Sequence, residues 1–445
     1  MGEKIILVGG GLAGSLMSIY LAKRGHEVHL YERRSDMRKG KYEGGRSINL
    51  ALSTRGINAL NKVGLTEEIL EISIPMKGRI MHSTAGDLNY QPYGREDQAI
   101  YSVSRGELNV RLLQLADQYS NIHMYFDHRC TKMDLDTNTA TFETPNGSIM
   151  DVSGDVVLAT DGAFSAVRDA MIRHPRYSYS QTYESYGYKE LEIVPGENGA
   201  FQMEEKALHI WPRSSFMMIA LPNPGGNFTC TLFLPYEGDV SFSKLNSDME
   251  IMDFFKTYFN DSIPLMPNLL EDFKKNPIGH LTTIKTYPWV FNRSALMGDS
   301  AHAVVPFYGQ GMNCSFEDCV VLDECIEKFE GDWDKILDEY QKLRKPNADS
   351  IATLAVQNFV EMRDLVGLPE FLHKKGIEKK LIDAFPGRYR TQYERVTFSN
   401  DNYLDALNAG EKNDRFLNYI VENQLESKLD DHEFVSGLIQ EWFES

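Results

Sequence analysis

The feature that most constrains the fold is a glycine-rich turn near the start of the chain. The run KIILV at residues 4–8 is apolar, and Gly9, Gly11 and Gly14 follow it in the spacing GxGxxG. Apolar residues then recur at helical spacing, and the alternating segment EVHLYE comes next at residues 27–32. A short apolar run, a glycine turn, an amphipathic helix and an alternating segment together predict a β-α-β unit.

A unit of this kind is typical of a dinucleotide site. Glycines permit the tight turn and the close approach of backbone to phosphate, and the helix N-terminus faces the pyrophosphate. Glu32 closes the second strand, where an acidic residue meets an adenosine ribose, and this favours FAD or NAD. Because Arg33 and Arg34 follow Glu32, NADP stays an open alternative to FAD and NAD. The basic segment 33–47 is interpreted either as a solvated loop or as a phosphate contact.

Bulk composition excludes several classes of partner. A chain of 445 residues suits two or three domains, and a net charge of -18 disfavours binding to nucleic acid or to anionic lipid. The five cysteines show no paired CxxC spacing, so we expect reduced thiols in a soluble cytoplasmic protein and no metal site. No segment has the pattern of a signal peptide or the roughly 18 apolar residues that span a bilayer.

The rest of the chain predicts a different architecture. Residues 200–235 alternate between apolar and polar side chains and are divided by Pro and Gly clusters, which predicts antiparallel sheet. Residues 315–365 return to a helical pattern, with an interruption expected before Pro346. Residues 366–445 predict further helices. The turns expected among them are Pro386-Gly387 and Ala409-Gly410.

Two further motifs follow the glycine turn. ATDGAFSAVR at residues 159–168 sets Asp161 at the end of an apolar strand, and GDSAHAVVPFYGQGMN begins at Gly298. With GxGxxG they form an ordered triplet that resembles the FAD-dependent aromatic hydroxylases of the para-hydroxybenzoate hydroxylase type. The resemblance implies bound FAD, with Asp299 at its ribityl or ribose hydroxyls. It also assigns to FAD the residues Gly9, Gly11, Gly14, Glu32, Asp161, Gly311, Met312 and Asn313.

Within that group, the chain is similar to the kynurenine 3-monooxygenase family. The similarity is carried by PFYGQGMNCSFEDC, SINLALSTRG, SVSRGELN, MKGRIMHSTAG, NYQPYG, QNFVEMRD and YERVTFS. The resemblance implies L-kynurenine as substrate and assigns Ala51 and Arg105 to FAD. It implies that Arg79 and Tyr93 hold the substrate's carboxylate. The other implied substrate residues are Asn358, Tyr393, Phe307 and Tyr308.

The family's reaction consumes NADPH and O2 and yields 3-hydroxy-L-kynurenine through a flavin C4a-hydroperoxide. Because the flavin carries the chemistry, no side chain is expected to be a catalytic residue, and His302 is interpreted as structural. Two alternatives stay open: a hydroxylase of another aromatic acid with the same fold, and an oxygen-independent flavin reductase. Animal and fungal members carry a C-terminal membrane anchor, whereas this chain resembles the soluble bacterial members. The oligomeric state, a homodimer included, stays open.

The sequence therefore predicts an α/β protein with three parts. They are a Rossmann-type FAD-binding domain with the GxGxxG turn, an inserted antiparallel-sheet substrate domain and a C-terminal helical region. We expect the FAD-binding domain at 1–75, 96–180 and 281–335, the substrate domain at 76–95 and 181–280, and the helical region at 336–445.

Overall fold

Two large β-sheets form the framework of the molecule, and a computed structural model describes residues 2–40, 49–93, 98–362 and 368–444. Part of the basic segment 33–47 therefore lies outside the described residues. The first strands are β1 (Lys4–Val8), β2 (Glu27–Tyr31), β3 (Asn49–Leu52), β4 (Ile74–Met76), β5 (Gly78–His82), β6 (Leu88–Pro92), β7 (Ile100–Ser104), β8 (Ile122–Tyr125), β9 (Arg129–Asp134) and β10 (Thr139–Glu143). The later strands are β11 (Ile149–Ser153), β12 (Val156–Ala159), β13 (Ser178–Ile193), β14 (Ala207–Pro212), β15 (Met217–Pro222), β16 (Phe228–Pro235), β17 (Gly279–Tyr287), β18 (Val290–Phe291) and β19 (Ser294–Leu296).

The helices surround these sheets and continue beyond them to the C-terminal part of the chain. They are α1 (Leu12–Lys23), α2 (Thr54–Val63), α3 (Thr66–Leu70), α4 (Arg105–Ala116), α5 (Ala166–Met171), α6 (Asp248–Tyr258), α7 (Leu269–Lys275), α8 (Asp299–His302), α9 (Gly311–Phe329), α10 (Trp333–Val360), α11 (Pro369–Ala384), α12 (Gln392–Thr397), α13 (Tyr403–Glu422) and α14 (His432–Ile439).

The first sheet confirms the predicted β-α-β unit. Its strand order is β18-β19-β12-β1-β2-β8, and the strands are parallel except for the edge strand β18. Residues 5–8 of β1 and all of β12 are buried, as continuous apolar strands in a sheet covered on both faces require. Helices α1, α4 and α9 contribute side chains to the hydrophobic core of this sheet. The ends of β1, β2 and β12 thereby meet at one edge.

Two small sheets accompany the parallel one. Strands β9, β10 and β11 form an antiparallel meander. The dipeptide Asn146-Gly147 predicts a turn between β10 and β11, and Gly147 lies there in the left-handed region (φ 81°). Strands β3 and β4 both pair with β7. The meander packs Phe142 against Tyr31 of β2, with ring centroids 4.1 Å apart.

The second large sheet has the order β17-β13-β16-β15-β14-β5-β6 and confirms the antiparallel strands predicted for residues 200–235. One pair, β14 and β5, is parallel, and β5 enters the sheet from a distant part of the chain. Strand β16 is buried over residues 228–234, and the aromatic side chains of α6 and α7 pack on the same core. Strand β13 begins at Ser178 and β17 ends at Tyr287. Both strands therefore cross the domain boundaries expected after residues 180 and 280, and both stay within this sheet.

The C-terminal helices depart from the sequence prediction at two points. The interruption expected before Pro346 is wrong, because α10 continues through this proline. The missing proline N–H is tolerated because α10 packs along α9 and α13, and the break between α9 and α10 comes instead at Glu330 and Gly331, which both have positive φ.

The turn expected at Ala409-Gly410 is also wrong, because both residues lie inside α13. A Cβ added at Gly410 would meet the Gln392 side-chain amide at 1.8 Å, so this glycine allows close approach to α12. The turn expected at Pro386-Gly387 is confirmed, since it lies between α11 and α12. Within the part of the chain that the structure describes, no helix is long and apolar enough to cross a membrane.

Candidate active site

One large cavity collects most of the residues that the sequence analysis assigned to cofactor or substrate. It has a volume of about 1810 Å³ and lies between the edge of the parallel sheet, the seven-stranded sheet and the C-terminal helices. The assigned residues on its wall are Gly9, Gly11, Glu32, Ala51, Arg79, Tyr93, Arg105, Asp161, Asp299, Phe307, Tyr308, Gly311, Met312, Asn358 and Tyr393. Gly14 and Asn313 are not part of this wall.

The glycine turn forms a backbone cradle at one end of the cavity. Gly9 has φ 106°, and a Cβ there would meet the Thr160 carbonyl oxygen at 2.5 Å. A Cβ on Gly14 would meet the Gly9 carbonyl oxygen at 2.0 Å, so Gly14 allows α1 to pack against the turn without itself reaching the cavity. Next to Gly11, by contrast, there is open space. The turn therefore fits a dinucleotide phosphate that approaches the backbone at Gly11.

Glu32 is held rigidly beside that cradle. Its Oε2 accepts a hydrogen bond from the Gly10 N–H at 2.8 Å, and its Oε1 accepts one from the Arg34 side chain at 2.8 Å. Burial raises the pKa of this carboxyl, but the bonds from Arg34 and Gly10 outweigh it and hold the pKa below its ordinary value. Glu32 is therefore a carboxylate at neutral pH and can accept hydrogen bonds from a ribose.

The second and third motifs are joined through Ser300. Its hydroxyl donates to Asp161 at 3.0 Å and accepts from the Gly162 N–H at 2.9 Å. Arg168 donates to the Ser300 carbonyl at 3.0 Å from the helix that follows Asp161. Burial raises the pKa of the Asp161 carboxyl. These bonds tie the turn at Asp161 to Ser300, the residue after Asp299, and both aspartates line the cavity.

Asn313 supports the loop that reaches the centre of the cavity. Its Nδ2 donates to the carbonyls of Ala51 and Gly309, both at 2.9 Å, and its Oδ1 accepts from the Ser53 N–H at 3.0 Å. Gly309 has φ 64° and ends the turn that begins at Pro306. The Asn313 side chain therefore ties two stretches of backbone together behind the wall, while Gly311 and Met312 form the wall itself.

Arg79 and three tyrosines form the opposite end of the cavity. The Arg79 Nε donates to Gln91 Oε1 across β5 and β6 at 3.0 Å. The rings of Tyr93 and Tyr308 both stack on Tyr393, at 5.7 and 5.8 Å between centroids. The Tyr93 hydroxyl is buried close to the Tyr393 side chain. Burial raises the pKa of Tyr393 to about 12, so its phenol stays protonated and can donate.

Asn358 and Phe307 close the wall between the loop and the C-terminal helices. Asn358, near the end of α10, donates from Nδ2 to the Phe307 carbonyl at 2.7 Å. The Phe307 ring stacks on Phe359 at 4.1 Å and lies 5.0 Å from Phe233 of β16. The backbone of the loop, the end of α10 and the seven-stranded sheet therefore converge on the same apolar surface.

A buried network of charges behind the loop was not predicted from the sequence. Asp318 of α9 accepts from His302 Nε2 at 2.6 Å, from Arg344 Nε at 2.7 Å and from the Gly298 N–H at 2.8 Å. His302 is not on the cavity wall. Burial alone would lower the pKa of His302, but the Asp318 carboxylate raises it well above the ordinary value. His302 and Arg344 in turn lower the pKa of Asp318 to about 2, against the effect of burial.

The network extends to the C-terminal helices through Arg55. Glu317 accepts from Arg344 at 2.5 Å and from Arg55 at 2.7 Å. The Arg55 guanidinium lies 3.9 Å from the centre of the Tyr403 ring and donates to the carbonyls of residues 395, 396 and 401. Tyr403 donates to Gln310 Oε1 at 2.9 Å. Arg55 lies in SINLALSTRG, one of the segments that carry the resemblance, but no local sequence pattern indicates that it is buried.

We predict that the His302–Asp318 pair makes stability depend on pH. Because the folded-state pKa of His302 is raised, the stabilisation is complete below about pH 6.5 and is lost as pH rises through the folded-state value. His302→Gln should lower the free energy of unfolding by about 3–5 kcal/mol near neutral pH, since it leaves Asp318 with one partner fewer.

Urea unfolding across a pH series measures this effect. The wild-type free energy of unfolding should fall more steeply with rising pH than that of His302→Gln. His373→Gln, at an exposed His–Glu pair, is the matched control and should follow the wild type. Parallel pH curves for the wild type and His302→Gln would contradict the prediction.

Comparisons with known proteins agree with this geometry. A family model described as "FAD binding domain" matches residues 3–355. A solved 2-methyl-3-hydroxypyridine-5-carboxylic acid oxygenase superposes with a TM-score of 0.67 at 19% identity, over 83% of this chain and 95% of that one. A p-nitrophenol 4-monooxygenase from Pseudomonas putida superposes with a TM-score of 0.65 at 19% identity, over 84% and 92%. These likenesses confirm the predicted fold class.

Sequence relatives are far closer. A kynurenine 3-monooxygenase from Myxococcus xanthus is 48% identical over 94% of this chain and 91% of its own length. The enzyme of the same name from Flavobacterium johnsoniae is 46% identical over 97% and 95%, and that from Sus scrofa is 44% identical over 91% and 85%. The fold, the cavity and these relatives lead to one conclusion: the chain belongs to the kynurenine 3-monooxygenase family.

Proposed function

We propose that this protein hydroxylates L-kynurenine to 3-hydroxy-L-kynurenine, with bound FAD and with NADPH and O2 as co-substrates. The observation that carries the proposal is that Arg79, Tyr93 and Tyr393 share one cavity wall with the glycine turn and the Gly311–Met312 loop. A site for an amino-acid carboxylate and a site for a flavin dinucleotide are thereby brought together. Family membership supports the same substrate.

The residues present fit FAD. The open backbone at Gly11, the ionised Glu32 and the lining residues Asp161 and Asp299 would hold its pyrophosphate and hydroxyl groups. The chemistry that FAD supplies when bound is acceptance of a hydride from NADPH and activation of O2. Overall, NADPH, a proton, O2 and kynurenine become NADP, water and the hydroxylated product, so one oxygen atom enters the ring and the other leaves as water.

Arg79 would bind the substrate carboxylate. A guanidinium matches a carboxylate with two parallel hydrogen bonds, and the hydroxyls of Tyr93 and Tyr393 can add further ones. A fixed local cation is needed because the net charge of -18 otherwise repels an anionic group. The bond from Arg79 to Gln91 fixes the position of the guanidinium before substrate arrives.

The apolar part of the wall would hold the aromatic ring. Met217, Ile219, Phe233 and Phe307 line it, and Asn358 fixes the Phe307 backbone. The ring amine of kynurenine donates electron density to the adjacent carbon, where the new hydroxyl forms. The protein's part is therefore to orient the ring and to exclude water from it.

The cysteines support the cytoplasmic location expected from the sequence. All five are free, and Cys230, Cys314, Cys319 and Cys325 are buried. Free thiols in this number are typical of a reducing compartment.

We predict that Glu32→Ala weakens FAD binding by about tenfold or more, because a hydrogen bond to a charged group contributes about 1.5–3 kcal/mol. Flavin absorbance after dialysis of the purified variant measures the effect. Glu27→Ala, at the other end of β2, is the control and should retain its flavin. Full retention of flavin by Glu32→Ala would show that Glu32 does not hold the FAD ribose.

We predict that Arg79→Ala raises KM for kynurenine by about 10- to 100-fold and releases hydrogen peroxide at the expense of product, because the substrate loses its anchor. Arg79→Lys keeps the positive charge but loses the planar pair of guanidinium donors, so its KM should lie between those of the wild type and Arg79→Ala. Steady-state NADPH consumption and product yield give both quantities. An unchanged KM in Arg79→Ala would show that Arg79 does not hold the carboxylate.

The proposed function itself is tested by NADPH oxidation with and without L-kynurenine, followed by mass spectrometry in the presence of ¹⁸O₂. Stimulated oxidation with one ¹⁸O atom in the product is expected. Turnover without oxygen incorporation would indicate a flavin reductase. If another aromatic acid stimulates NADPH oxidation and L-kynurenine does not, that acid is the substrate.

A further inference from the structure

Two histidines and a glutamate meet on the surface of the parallel sheet, outside the set of residues that line the cavity. Glu27 and His29 lie two residues apart on β2, so their side chains share one face. His123 of β8 pairs directly with His29 in the parallel register. One potential ligand atom from each of the three residues lies within 4.8 Å of the other two. The sequence contains no motif for this cluster, because β2 and β8 are distant along the chain.

The contacts of His29 suit a metal ligand. Its Nε2 is 2.7 Å from Glu27 Oε1, and its Nδ1 is 3.4 Å from the Tyr125 hydroxyl. Its ring also stacks parallel to that of Tyr125, at 5.9 Å between centroids. A ligating histidine normally uses one ring nitrogen for the metal and binds a polar group with the other, which fixes the ring. Tyr125 provides this support and leaves Nε2 toward Glu27.

We propose that Glu27, His29 and His123 form a binding site for one divalent transition-metal ion of the zinc class, which ties the edge strand β8 to β2. Two imidazoles and one carboxylate are ligands that Zn²⁺, Ni²⁺ and Cu²⁺ accept, whereas Mg²⁺ and Ca²⁺ prefer oxygen ligands throughout. Glu27 and His123 are exposed, so an ion can enter and water can complete its coordination. The net charge of -18 favours cation binding.

A second cluster of the same residue types does not suit a metal. His302, Cys314 and Asp318 are equally close together but are fully buried. Arg344 already donates to Asp318 at 2.7 Å and to the Cys314 sulfur at 3.3 Å. A positive charge is thus in place there, and a second cation would be repelled. The surface cluster has its ligand atoms in reach of solvent instead.

The proposed ion would lie away from the reaction. His29 is the ligand on β2 nearest to Glu32, and the three residue steps between these positions span about 10 Å of extended strand. Glu27, His29 and His123 are not part of the cavity wall. We therefore expect the ion to affect stability and not turnover, so that failure of this proposal and failure of the proposed function are separable.

The test uses tag-free holoenzyme that has been freed of metal with a chelator. Zn²⁺ binding is measured by equilibrium dialysis with elemental analysis, and Cu²⁺ binding by electron paramagnetic resonance. The wild type should bind one ion per chain with nitrogen coupling to Cu²⁺, and Zn²⁺ should raise its Tm. His123→Ala should bind at least about tenfold more weakly and lose the Tm shift.

The matched control is His373→Ala, which removes the histidine of an exposed His–Glu pair that has no second imidazole. It should bind the ion like the wild type. His123 is exposed, so His123→Ala is expected to fold, and retained flavin absorbance checks this. Equal binding by wild type and His123→Ala, or displacement of Zn²⁺ by equimolar Mg²⁺, would overturn the proposal.

Discussion

The buried pairing of Asp318 with His302 and Arg344 is the interaction on which the cavity depends. Each partner comes from a different helix, α9, α8 or α10, and each is almost fully buried. A buried charge that loses its partner costs several kcal/mol, so the three helices cannot separate without a large penalty. The loop from Pro306 to Gly311 lies between these helices and is fixed with them.

The same network joins the parallel-sheet framework to the C-terminal helices. Arg55 comes from α2, directly after β3, and its guanidinium reaches carbonyls within α12 and the ring of Tyr403. Helix α12 carries Tyr393, which stacks with Tyr93 and Tyr308 in the cavity. The position of Tyr393, which is proposed to bind the substrate, is therefore coupled to α9 through Arg55 and Glu317. The first residues of α9, Gly311 and Met312, line the cavity.

Features predicted correctly from the sequence are those that short segments determine. The β-α-β unit follows from the glycine spacing, and the turn at Gly147 follows from the dipeptide Asn146-Gly147. The errors at Pro346 and at Ala409-Gly410 have the opposite cause. At Pro346, the contacts of α10 with α9 and α13 override the local preference for a break. At Gly410, the close approach of Gln392 to α13 has the same effect. The family resemblance, and not periodicity, is the basis on which Arg79, Tyr93, Asn358 and Tyr393 were assigned to the substrate.

The sequence by itself determined the order of the three cofactor motifs, the alternation of the antiparallel strands and the family to which the chain belongs. Only the tertiary structure decided that Asn313 supports the wall from behind, that His302 is paired with Asp318, and that His29 lies beside His123. The physical reason is that glycine turns and apolar periodicity act over a few residues. Burial, charge pairing and strand register depend on segments that meet only when the chain folds.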